Sequence, residues 1–170
     1  MNLDLQIIEF ITTNRISFLD PLFIIITHLG TLMAIWIVIA LLFFYRNKDK
    51  IFLKVFALAS LTSFVINDLL LKPLIQRDRP FLNSDLIQPL VHAPDSFSMP
   101  SGHSASSFVA ATILAYYFPQ YRYLFYLLAL LIAFSRVYVG VHYPTDIILG
   151  SLLGFVIAKV VILIIKKQTI

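Results

Sequence analysis

Hydrophobic positions in this chain run in long stretches separated by short polar knots. Apolar side chains dominate 21–45, 51–71, 101–118, 121–139 and 144–165. Each stretch approaches or exceeds the ~20 residues that carry a helix across a bilayer core, so the pattern predicts five transmembrane helices. Ahead of them, residues 3–13 place Leu3, Ile7, Phe10 and Ile11 at helical spacing, with Asp4, Glu9 and Thr12 turned elsewhere. That run is too short to span and too polar on one side, which predicts a helix within 1–14 lying in the membrane interface. Residues 14–21 read as a turn, with Pro21 at a helix start. The expected fold class is all-α: a polytopic membrane helical bundle of about five transmembrane helices plus an N-terminal interfacial helix, in one domain over 1–170.

The knots differ in length. Residues 46–50 (Arg-Asn-Lys-Asp-Lys) make a short charged turn, and Pro119-Gln120 makes a tight one. Residues 72–100 form the one long connection, and Pro73, Pro80, Pro89, Pro94 and Pro100 keep it from being a single helix. Structured loops of this length commonly carry function, here a lid or a headgroup pocket. Asp85, His92 and Asp95 within it are expected to be solvated loop residues. His28, near the start of the first span, fits either a cleft position or a buried, hydrogen-bonded structural histidine. The third span opens with Ser101, Gly102, Ser104, Ala105 and Ser106, and the fifth carries Gly150 and Gly154 in a G-x-x-x-G. Small faces of this kind let helices approach closely in lipid.

Composition agrees with a bilayer protein. Hydrophobic residues make up 59% and charged residues only 13%, against roughly a quarter charged in soluble domains. Without cysteine there is neither a disulfide framework nor a thiolate metal site. The first residues lack a basic leader and an A-x-A-like site, so no removable signal peptide is expected. The net charge of +4 does not argue for nucleic acid, because the basic residues sit at span ends and form no stripe. With five spans, Arg46, Lys48, Lys50, Lys54, Arg122, Lys159, Lys166 and Lys167 share one side. The positive-inside rule makes that side, with the C-terminus, cytoplasmic. The 72–100 loop and the 135–146 stretch then face outward, on the outer or periplasmic face of the cell (inner) membrane.

That outward side gathers the chemistry. Ser135-Arg136, His142 and Asp146 fall where one span ends and the next begins, and the His and Asp are four apart, on one side of a helical path. A carboxylate beside an imidazole fixes its tautomer and raises its nucleophilicity. Alone, this stretch also reads as a polar anchor at a span end. His103 lies 39 positions before His142, about two crossings of ~20 residues, so a helical hairpin returns both to one face. Lys72 and Arg79 arrive there from the end of the second span. Asp68, four before Lys72, is placed to orient it across a turn, and Arg77 to touch a second phosphate or headgroup, while surface or structural roles suit both residues equally.

Three clusters therefore converge: Lys72 with Arg79-Pro80, Pro100-Ser101-Gly102-His103, and Ser135-Arg136 with His142 and Asp146. They resemble the K-x6-R-P, P-S-G-H and S-R-x5-H-x3-D motifs of the type 2 phosphatidic acid phosphatase superfamily, in order and at every defining position. The hydrophobic composition favours its membrane branch over its soluble acid phosphatases and vanadium haloperoxidases. The resemblance implies that His142 is a nucleophile forming a phosphohistidine, that Asp146 orients it, and that His103 protonates the leaving group and then activates water. Lys72, Arg79 and Arg136 are expected to hold the phosphate as cations, Arg by bidentate forks and Lys as a point charge. Ser101 and Gly102 are expected to offer backbone N–H groups at a helix start.

No metal or other cofactor is expected, since the cations do a metal's work. A His-Asp-His set in isolation also suits zinc, but neighbouring Lys and Arg make that unattractive. The expected partners are the bilayer and a membrane lipid phosphate: undecaprenyl diphosphate, phosphatidylglycerophosphate, phosphatidic acid or the 1-phosphate of lipid A. A lipid phosphotransferase using the same phosphohistidine is one alternative. A non-catalytic lipid-phosphate binding or transport protein is another, although binding alone gives no reason for two histidines and an aspartate. Oligomeric state is left open.

Overall fold

The computed structural model describes residues 3–167 and is helical, with no strand among the described residues. The elements in chain order are α1 (Leu3–Thr13), α2 (Asp20–Leu29), α3 (Ala34–Asn47), α4 (Lys50–Phe64), α5 (Lys72–Ile75), α6 (Pro80–Asn83), α7 (Gly102–Tyr117), α8 (Arg122–Tyr138) and α9 (Pro144–Lys167). A π-helical segment, Val65–Leu71, joins α4 to α5. Residues 1, 2 and 168–170, which the expected domain bounds include, lie outside the described part.

The second, fourth and fifth expected spans appear within a few residues of their expected ends. Local signals explain the boundaries. Asp49 caps α4 by accepting from the Ile51 and Phe52 N–H groups, Ser101 caps α7, and Pro144 opens α9 at a first-turn position where its missing donor costs nothing. The Val65–Leu71 π turn was not legible from periodicity. It follows the expected polar end of the span, and it buries Asn67, whose Nδ2 donates to Pro100 O at 3.3 Å.

The first expected span is not continuous. It breaks after Leu29 into α2 and α3, with Leu32 (φ 50°) and Met33 (φ 59°) left-handed between them. The break lies at Gly30, where a Cβ would stand 2.6 Å from Ile132 Cγ2 and 2.9 Å from the His103 ring. A helix carrying any side chain there could not approach α7 and α8 so closely. By length and hydropathy, Lys50–Asn83, Pro119–Tyr138 and Pro144–Lys167 are each able to cross a membrane; Leu3–Thr13 with Ser17–Leu29, bent by 91°, would make a fourth as one broken span. By length and hydropathy alone, three of the expected crossings qualify unbroken, or up to four with the bent pair. α7 has 16 residues, about 24 Å of rise, and does not qualify alone. It packs against α4, α8 and α9, so its small and polar residues meet protein rather than lipid.

Gly150 and Gly154 form the notch that α7 fills: a Cβ on Gly150 would meet Ser101 O, and one on Gly154 the Ala105 backbone. Below this contact lies the apolar core, with Trp36, Phe52, Val109, Ile113, Leu114, Phe125 and Ile162 among its buried members. Trp36 Nε1 is satisfied by Ser107 Oγ at 3.0 Å. Leu22, Ile25, Leu41, Leu61, Leu124, Leu152 and Leu163 are exposed. So large an apolar exterior belongs against hydrocarbon, and the chain is a membrane protein.

α1 inverts the usual amphipathic arrangement. Asp4, Ile8 and Thr12, on one face, are buried, while Leu3 and Phe10 are about 70% exposed, at 69% and 70%. Its polar face docks on protein and its apolar face looks outward. The sequence pattern located the two faces, but not which of them the bundle covers.

Candidate active site

The site is built where α4 ends, α7 begins and α8 passes into α9. His142 sits in the α8–α9 turn and is 2% exposed. Its Nδ1 lies 3.2 Å from Asp146 Oδ2, one helical turn along. On the other edge of the ring, Arg79 Nη1 approaches Nε2 at 3.0 Å. A guanidinium only donates, so Nε2 is the accepting nitrogen and Nδ1 carries the hydrogen. Burial, then the charges of Arg79, Arg136 and Lys72, push the His142 pKa well below 6.5. The ring is a neutral base with its lone pair aimed away from Asp146.

Asp146 is 0% exposed and fully engaged. Its Oδ2 accepts from Ser98 Oγ (2.5 Å) and Tyr143 N (2.9 Å) besides facing His142, and its Oδ1 accepts from Arg77 Nη1 at 2.7 Å. Arg79 is held just as firmly, donating to Ser96 O, Ser96 Oγ, Phe97 O and Val141 O. The long loop thus fixes a cation beside the imidazole.

Nε2 faces a cavity of about 310 Å³, lined on its polar side by Asp68, Lys72, Arg79, Gly102, His103, Arg136 and His142. Gly30, Met33, Ser60 and Phe64 complete it on the other side, and Pro94 and Ser96 of the loop close one edge. The volume is at the low end for small-molecule sites, which run from roughly 300 Å³ upward. Three buried polar atoms of cavity-lining residues have no partner in the protein: Ser60 Oγ, His103 Nε2 and Arg136 Nε. Arg136 is otherwise anchored by Thr27 Oγ1, which accepts from Nη1 at 2.5 Å. Unpaired donors around a cation-lined cavity are what an anion would satisfy.

Of the residues singled out from sequence, Lys72, Arg79, Gly102, His103, Arg136 and His142 meet in one cavity, and Asp146 stands directly behind His142. Asp68 does pair with Lys72, Oδ1 accepting from Nζ at 2.6 Å. Ser101 is placed differently: it is fully buried, its hydroxyl accepts from Ser104 N and Ser104 Oγ, and its N–H donates to Asp146 O. Its N–H is spent on Asp146 O and it does not line the cavity, which Gly102 and His103 at the following positions line instead. Arg77 does not reach the cavity either; it is committed to Asp146, Asp4 and Thr145 and stacks over the Tyr143 ring at 3.8 Å. His28 is neither in the cleft nor buried, but exposed. Asp85, His92 and Asp95 are exposed loop residues, as expected.

Sequence reasoning missed Ser98, Thr27, Ser96, Asp4 and Thr145. Only Ser98 carried a signal, its place two residues before Pro100-Ser101-Gly102-His103. As for a metal, no cluster of three His, Cys, Asp or Glu among the described residues could hold one.

The chain matches the PAP2 superfamily over residues 51–170. It is 32% identical over 156 residues to an undecaprenyl-diphosphatase of Sulfolobus acidocaldarius, covering 89% of this chain and 73% of that one. It is 36% identical over 149 residues to phosphatidylglycerophosphatase B of Bacillus subtilis, covering 78% and 68%. Among solved structures, LpxE of Aquifex aeolicus superposes with a TM-score of 0.81 at 27% identity over 95% of this chain and 96% of that one. The PAP2-type phosphatidylglycerolphosphate phosphatase of B. subtilis gives 0.72 at 31% identity over 96% and 85%. The chain belongs to the PAP2 superfamily.

Proposed function

We propose that this member of the membrane PAP2 phosphatases hydrolyses a lipid phosphate or diphosphate through a phosphohistidine on His142. The observation that carries the reading is the division of the His142 ring, with Nδ1 on a buried carboxylate and the Nε2 lone pair facing a cavity of cations. The headgroup enters with its charge on Lys72, Arg79 and Arg136, displacing the Arg79 contact to Nε2. The bond from Nε2 to phosphorus forms, the phosphorus–oxygen ester or anhydride bond breaks, and His103 gives its proton to the leaving oxygen. Water then attacks the phosphohistidine, its proton passes to His103, and inorganic phosphate leaves.

The lipid tail stays outside a cavity of this size, among the exposed apolar helices. Undecaprenyl diphosphate, phosphatidylglycerophosphate, phosphatidic acid and the 1-phosphate of lipid A all offer the required group, and the first two echo the names of the relatives above. The 1–170 chain acts as one domain, with α1 lying in the interface and the 72–100 segment facing outward as the rim of the headgroup pocket. Arg46 and Asn47 share one cavity with Phe118 and Tyr121, so the turns bearing most basic residues gather at the end opposite the site. That arrangement supports a cytoplasmic C-terminus and an active site at the outer face of the cell membrane.

Phosphate release from a panel of these four lipids in detergent, without added acceptor, tests the reading. An acid-labile phosphoenzyme that is absent in His142→Ala is the expected companion. Binding without turnover would instead make the chain a lipid-phosphate binder, and turnover only with an added acceptor would make it a phosphotransferase.

A further inference from the structure

One buried ionic cluster is not used by this chemistry as written. Arg77 Nη1 donates to Asp146 Oδ1 at 2.7 Å and to Thr145 Oγ1 at 2.7 Å, while its Nη2 meets Asp4 Oδ2 at 2.5 Å. Asp4 comes from α1, is 6% exposed, and also accepts from the Thr145 N–H at 3.1 Å and the Thr145 hydroxyl. The Arg77 plane rests on the Tyr143 ring. Arg77 does not line the headgroup cavity.

We propose that Asp4 and Arg77 are positioning residues of this active site: the pair clamps Oδ1 of Asp146 so that Oδ2 faces His142 Nδ1. The inference rests on the reading of His142 as nucleophile. A carboxylate with one oxygen held by a guanidinium fork has a fixed plane. The remaining oxygen then fixes the imidazole, whose opposite nitrogen must meet phosphorus in line. Asp4 does for Arg77 what Arg77 does for Asp146. The polar face of α1 is thereby part of the catalytic apparatus, although Asp4 lies 68 positions before Lys72, the nearest motif residue, and touches no substrate.

Charge gives the clamp a signature that packing alone would not give. The charged and titratable groups around Asp146 are Asp4 from α1, Arg77 and Arg79 from the segment before α6, and His142 and Tyr143 from the α8–α9 turn. α7 presents only the Ser101 N–H, to the Asp146 carbonyl. Arg77→Ala leaves two buried carboxylates facing one another without the cation between them, and like charges so placed favour uptake of a proton.

Steady-state kinetics on purified full-length variants in detergent test the clamp. Arg77→Ala is expected to lower kcat about 100-fold with KM within about 3-fold, and to move the acid limb of the pH profile to higher pH. Adding Asp4→Asn to Arg77→Ala removes the facing charge and is expected to return the limb and recover about 10-fold in kcat. Arg77→Lys is expected to fall between wild type and Arg77→Ala, since an ammonium lacks the fork. A raised KM with unchanged kcat would make Arg77 a headgroup cation and overturn the proposal. So would a double variant no better than Arg77→Ala. Should Arg77→Ala not fold, Asp4→Asn alone carries the test, with a several-fold loss in kcat at unchanged KM and thermal midpoint expected; wild-type kcat would overturn it. An active His142→Ala would instead overturn the phosphohistidine reading itself.

Discussion

The two edges of the His142 ring face opposite kinds of surroundings. Behind Nδ1, both Asp146 oxygens, the Ser98 hydroxyl and both terminal nitrogens of Arg77 have partners. Before Nε2, His103 Nε2 and Arg136 Nε are buried without one. A satisfied network is rigid, since moving any member strands another in a medium of low dielectric. Unpaired polar atoms beside fixed cations suit an anion. The protein holds the His142 ring from one side and turns its other nitrogen toward a cavity that Lys72, Arg79 and Arg136 line.

The largest effect should come from removing the ring that joins the two sides. His142→Ala is expected to lower phosphate release by about 10⁴-fold or more, measured on a lipid diphosphate in detergent; near-normal turnover would leave the contrast without chemical meaning. On the open side, His103→Ala should cost about 10² to 10⁴-fold in kcat, the span typical of a lost acid–base group. Its phosphoenzyme, once formed, should hydrolyse slowly in a quench experiment.

The pH dependence sharpens the contrast from the closed side. The folded protein holds His142 neutral, with its pKa well below 6.5 through burial and the nearby Arg79, Arg136 and Lys72 charges. The unfolded chain takes up that proton near 6.5 and the folded chain does not. Stability from this residue should therefore fall as pH drops below 6.5, by at most about 1.4 kcal/mol per pH unit. Thermal midpoints in detergent between pH 7 and 5 would check the sign. Turnover should not lose a His142 limb at 6.5.

The smallest effect should come from Ser98→Ala, which removes one donor from a carboxylate that keeps three. A loss near 1 kcal/mol, about five-fold in kcat with KM unchanged, is expected. A shift in KM instead would place Ser98 on the open side.

The residues proposed to meet the substrate, and the carboxylate behind them, were the readable ones. Lys72, Arg79, His103, Arg136, His142 and Asp146 are the types that the proposed phosphoryl transfer requires, and their spacing follows the length of a membrane crossing. Ser101 fell out of the cavity because its N–H is taken by the Asp146 carbonyl while its hydroxyl caps α7. Arg77 read as a spare cation because its two carboxylates lie 73 residues before it and 69 after it. Local pattern carries no trace of such a meeting.

The sequence by itself determined a membrane-embedded helical chain, most of its helix ends and the chemical type of its site, because hydropathy, caps and motif spacing are local or set by bilayer thickness. Tertiary structure alone decided the break at Gly30, the burial of the polar face of α1 and the partner of each charge. Those depend on which surfaces come within a few ångströms of one another, and close approach between distant segments is a property of the packed bundle rather than of any stretch of chain.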